Sequence, residues 1–150
     1  MQLAQRQTDG ERWALIAVAN PMQQRTAQTA LKQEGFNTVT ANDTDSALTA
    51  LENQVGPFGL LSVDFGFSLL LVDFDLPGQG GLEVVEVYKY LTGGAQAAAI
   101  VRLVEQTEEA SVSCLAAGVD ECLPIPTDTE QLRAAVRTLL PQAALTRATG

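Results

Sequence analysis

The period of apolar and polar positions switches repeatedly along the chain, and each switch marks an element. Trp13 to Val18 (WALIAV) is an unbroken apolar run, which fits a strand covered on both faces. Asn20-Pro21 then initiates a turn, and Met22 to Glu34 carries Ala27, Ala30 and Leu31 at helical spacing before Gly35 ends the helix. Phe36 to Ala41 alternates as a second strand. Asn42 to Asp45 supplies capping oxygens for a helix whose apolar stripe is Ala47, Leu48 and Leu51. Leu69 to Val72 is a third strand ending at Asp73, followed by Asp75-Leu76-Pro77 and the glycine-rich run Gly78 to Gly81. A helix from about Leu82 to Leu91, a strand from Ala97 to Val104, a helix from Glu108 to Ala117 closed by Gly118, and a strand from Val119 to Leu123 come next. After Pro124-Ile125-Pro126, Thr127 or Asp128 caps a last helix, which Pro141 stops.

Strands alternating with helices in this way predict a doubly wound α/β fold, a five-stranded parallel sheet wrapped on both faces by right-handed crossovers. With strand order 2-1-3-4-5 the functional crevice lies between strands one and three, beside Val18, Ala19 and Asp73. The reading assigns residues 1–12 and 141–150 to tails and 13–140 to the domain. Leu60 to Ser68 (LLSVDFGFS) repeats the pattern of Leu69 to Pro77 (LLLVDFDLP), so residues 54–68 are read as a local duplication inserted before strand three. Either Asp64 or Asp73 could then end the central strand. Asp73 is preferred because the Leu-Pro-Gly turn follows it alone. Phe65 and Phe67 read as core or cover residues, or as a sticky surface for a partner.

Composition narrows the chemistry. The 150-residue chain carries a formal charge of −9 and no basic patch, which disfavours nucleic-acid binding. It has no histidine, which excludes a structural zinc site and every histidine-base mechanism. Cys114 and Cys122 read as buried thiols in a reducing compartment. The polar start lacks a signal-peptide core, and no apolar stretch approaches a membrane span, so a cytoplasmic location is expected. The GQGG run lacks the lysine and hydroxyl of a phosphate-binding loop and reads as a flexible turn.

These residues, in order, resemble the receiver domain of bacterial two-component response regulators: ALIAVANP with Arg25, LLLVDFDLPGQGGLEV, LAAGVDECL, and the Pro126 loop before the last helix. The resemblance covers roughly Trp13 to Leu140 and implies a flavodoxin-like fold. It implies that Asp73 is the phosphate-accepting aspartate. Against the family pattern, the acidic pair that helps to hold Mg²⁺ falls on Val18 and Ala19, and the switch hydroxyl on Leu103, or on Val104 if the loop shifts. The lysine falls on Ile125, which removes the remaining fixed cation of the pocket, and the aromatic switch residue falls on Cys122. Mg²⁺ binding is therefore expected to be weak or lost, with Asp75 a solvated or loop-capping acid.

The resulting expectation is a degenerate receiver, not an enzyme, that works by contacts with another signalling protein (kinase, regulator or effector) and has the possibility of homodimerising. The surface around the last two strands and helices is the expected contact face. A phosphate-switched receiver and a flavodoxin-like small-molecule binder are the alternatives. The short stretch after Leu140 is expected to add no DNA-binding, enzymatic or kinase segment, so output would pass through another protein.

Overall fold

The first apolar run becomes β1 (Arg12–Ala17), whose last four residues are fully buried. The computed structural model describes residues 12–53, 67–92 and 97–140. In chain order β1 is followed by α1 (Pro21–Gln33), β2 (Phe36–Ala41), α2 (Thr44–Glu52), β3 (Phe67–Asp73), α3 (Gly81–Thr92), β4 (Ala98–Leu103), α4 (Glu108–Ala117), β5 (Glu121–Pro124) and α5 (Thr129–Leu139). The strands form one parallel sheet in the order β2-β1-β3-β4-β5, as the alternation of periods predicts.

Local chemistry explains where helices begin. Asn20, Asp43, Thr107 and Asp128 each accept a backbone N–H of the helix they precede, relieving the unpaired donors of its first turn. Asp128 completes a reciprocal capping box with Gln131. Two apolar layers hold the sheet. Leu15, Ala17, Leu70, Val72, Ala99, Val101 and Leu103 meet α2, α3 and α4 on one face. Ala14, Ile16, Val18, Leu69, Leu71, Ala98 and Ile100 meet α1 and α5 on the other. Residues of both parities along β1, β3 and β4 are therefore covered, which is why these strands read as continuous apolar runs.

Several boundaries differ from the sequence reading. Arg12 belongs to β1 and not to a tail; its guanidinium stacks 4.2 Å from the Phe36 ring centroid and donates to the Glu34 carbonyl. β5 begins at Glu121 and not Val119. Phe67 and Ser68 are strand residues rather than part of an insertion, and Phe67 is 3% exposed, so it is core and not a partner surface. The buried Tyr88 hydroxyl donates to the Phe67 carbonyl at 2.8 Å, anchoring the start of β3 to α3. Residues 54–66, with Asp64 and Phe65, and both the 1–11 and 141–150 segments lie outside the described residues.

Candidate functional site

Asp73 closes β3 at the carboxyl edge of the sheet, between β1 and β4, where the strand order reverses. The β3–β4 register sets it beside Arg102. Neighbouring residues of paired strands project to the same side, and here that side follows the parity of Leu71 and Ile100, toward α1 and α5. The Arg102 side chain is 3% exposed and that of Asp73 13%. Arg102 Nε donates to Asp73 Oδ1 at 2.6 Å. Arg102 Nη2 donates to Oε1 of Gln23, in the first turn of α1, at 2.7 Å. Three elements distant in sequence thus converge on one guanidinium.

This cation corrects the sequence reading, in which the loss of lysine at Ile125 left the pocket without a fixed positive charge. Arg102 supplies one. A guanidinium this deeply buried is tolerable only when paired, and Asp73 provides the compensating charge. The signal was present in the sequence: an arginine inside the apolar run AAIVRL is anomalous for a strand buried on both faces.

The loop after Asp73 is held by small residues and one hydroxyl. Gly78 and Gly80 have φ of 109° and 89°, which only glycine adopts without cost. A Cβ on Gly81 would lie 2.1 Å from the Asp73 carbonyl oxygen, so α3 can begin this close to β3 only with glycine there. The Thr44 hydroxyl, buried at the start of α2, lies 3.2 and 3.0 Å from the Pro77 and Gly80 carbonyls and accepts the Gln79 N–H at 3.0 Å. The glycine-rich run is therefore a turn fastened to α2. Sequence reasoning also missed Thr44 and Gln23, because neither a capping-type residue nor a polar residue in a first helical turn gives a hint of a partner more than thirty positions away.

The remaining expected positions gather around this edge without adding polar chemistry. Val18 is fully buried and Ala19 half-buried just beyond β1. Leu103 is buried on the opposite face of the sheet from Arg102, and its carbonyl accepts the N–H of Ile125, which precedes the cis-proline Pro126. Val104 is exposed, as is Asp75. Cys122 is half-buried in β5. Asp73 with Arg102 is thus a carboxylate already matched by an internal cation, while Val18 and Ala19 offer no side-chain oxygen to a metal.

The response regulator receiver domain family model matches residues 14–137. Among solved structures, a CheY-like receiver domain protein from Methanospirillum hungatei is 24% identical, with a TM-score of 0.72 over 89% of this chain and 97% of that one. The chemotaxis protein CheY4 from Vibrio cholerae is 18% identical, with a TM-score of 0.72 over 87% and 99%. A Burkholderia pseudomallei response regulator, crystallised with a phosphorylated aspartic acid, calcium ion and citrate, is 20% identical, with a TM-score of 0.68 over 92% of this chain and 72% of that one. No curated protein matches the chain significantly. With a family match over residues 14–137, from β1 to α5, the chain belongs to the response regulator receiver domain family.

Proposed function

We propose that this receiver domain is a degenerate one, which serves signal transduction through protein contacts independent of phosphorylation of Asp73. The observation that carries the reading is the 2.6 Å Arg102–Asp73 pair, braced by Gln23. A carboxylate held this way has its charge compensated from inside the fold. Phosphoryl transfer to a carboxylate depends on positioning and on neutralising the equatorial oxygens, and a divalent cation normally supplies much of that charge. The donor set does not fit Mg²⁺. Val18 and Ala19 contribute nothing, the guanidinium repels a second cation, and among the described residues no group of three or more acidic or thiol side chains is placed to hold a metal. No enzymatic role is proposed.

Contacts are better served by α4. Val112 and Leu115 are 61% and 74% exposed and share one helical face, with Val104 exposed before the helix. Glu105, Glu108 and Glu109 border them, and an open depression of about 610 Å³ is lined by Thr107, Glu108, Glu109, Val112 and Ser113. An apolar ridge rimmed by acids complements a signalling protein that presents apolar and basic side chains together. The same acids disfavour pairing with a second copy through this face. Among the described residues no helix is long and apolar enough to cross a membrane.

Incubation with acetyl phosphate and Mg²⁺ tests the reading. Intact-mass analysis is expected to show no aspartyl-phosphate adduct. Partner capture is expected to survive Asp73→Asn and to fail in Leu115→Glu. A stoichiometric adduct that disappears in Asp73→Asn would establish a phosphate-switched receiver instead.

A further inference from the structure

Both cysteines come together at the seam between α4 and β5. Cys114 is 2% exposed and belongs to the core. Cys122 is half-buried and packs against that same core. The two side chains line a cavity of about 290 Å³, whose walls include Asp120 and Glu121.

We propose that Cys114 and Cys122 form a thiol–disulfide exchange site that closes to a reversible intramolecular disulfide, with a small cationic disulfide as co-reactant. The proposal is independent of the signalling reading. Exposure sets the order of events. Cys122, the thiol that solvent reaches, loses its proton and attacks one sulfur of the incoming disulfide. The S–S bond breaks, and one half leaves as a thiolate that takes up that proton. Cys114, lining the same cavity, then loses its proton and attacks the Cys122 sulfur, expelling the other half as a second thiol. Two protein thiols are oxidised to one disulfide, and the reagent disulfide is reduced to two thiols.

The surroundings select the reagent. Asp120 is paired with Lys89 Nζ at 2.8 Å, but the exposed Glu121 adjoins Cys122 without a cation of its own in the cavity wall. A negative wall attracts a cationic disulfide and repels an anionic one. Burial, with the adjoining Cys114 thiol, pushes the Cys122 pKa up to about 11, so Cys122 rests as a thiol and exchange is slow unless a disulfide is supplied in excess.

The test is treatment of the full, folded chain with excess cystamine at mildly alkaline pH. The expected product is lighter by two hydrogens, has neither thiol open to iodoacetamide, and is restored by dithiothreitol. Cys114→Ser is expected to stop at a cysteamine adduct on Cys122, and Cys122→Ser to stay unmodified until unfolded. Anionic glutathione disulfide is expected to react several-fold more slowly, and equal rates would overturn the charge selectivity. A stable adduct on wild-type Cys122 with Cys114 still free overturns the exchange site. So does a native chain in which neither thiol reacts although both react in urea.

Discussion

Two arginine–carboxylate clusters sit at opposite ends of the same sheet and answer to different physics. At the carboxyl end, Asp73 and Arg102 are almost wholly buried and meet one to one, with Gln23 as the third member. At the amino end, Glu34 at the close of α1 accepts hydrogen bonds from Arg133 and Arg137 of α5, the latter side chain 52% exposed. The first pair is buried beyond the help of water, so each partner is essential to the other. In the second the carboxylate is as buried as Asp73, but its two arginines, 26% and 52% exposed, reach water, which replaces much of what either one loses. Similar ion-pair chemistry therefore sets the chemistry of a pocket in one place and fastens neighbouring helices in the other.

The sharpest way to break this contrast is to remove one arginine from each cluster. Arg102→Met is expected to cost about 3 kcal/mol in urea unfolding, because it strands the buried Asp73 carboxylate. Arg137→Met is expected to cost under about 1 kcal/mol. Adding Asp73→Leu to Arg102→Met should recover most of the loss, and a double variant no more stable than the single one would refute the pairing as the cause.

Thr44→Val tests how far the pocket's rigidity comes from its loop. Removing the hydroxyl leaves the Pro77 and Gly80 carbonyls and the Gln79 N–H without their partner, and about 1 to 2 kcal/mol should be lost. Hydrogen exchange should rise in residues 74–81 and not at α5.

The smallest effect concerns Glu34. Burial alone would raise its pKa, but hydrogen bonds and charge from Arg133 and Arg137 outweigh it and hold the carboxyl below its usual value. A carboxyl depressed in the folded state stabilises fully above its unfolded pKa of about 4.3, and that contribution is lost as pH falls through the folded value. Glu34→Gln should thus be less stable than wild type by about 1 kcal/mol or less at neutral pH, with screening by solvent included. The gap should close on acidification below roughly pH 4. A gap that persists under acid would mean the carboxylate charge is not what fastens α1 to α5.

How much of this was legible in the chain varies with the range of the interaction. The caps at Asn20 and Asp128 were readable because their partners lie within one turn, and Asp73 was separable from Asp64 by the Leu76-Pro77-Gly78 turn. Arg102 was not placed. A strand buried on both faces has no polar side to mark its register, so nothing local says toward which helices residue 102 turns.

The order of elements, the parallel sheet and the position of Asp73 at a strand end were determined by the sequence itself, because hydrophobic period, caps and turn residues act over a few positions. The pairing of Asp73 with Arg102 and Gln23, the fastening of the glycine loop by Thr44, and the meeting of Cys114 with Cys122 were decided only by tertiary structure. Those contacts depend on strand register and helix placement, which emerge when the two apolar layers close on the sheet.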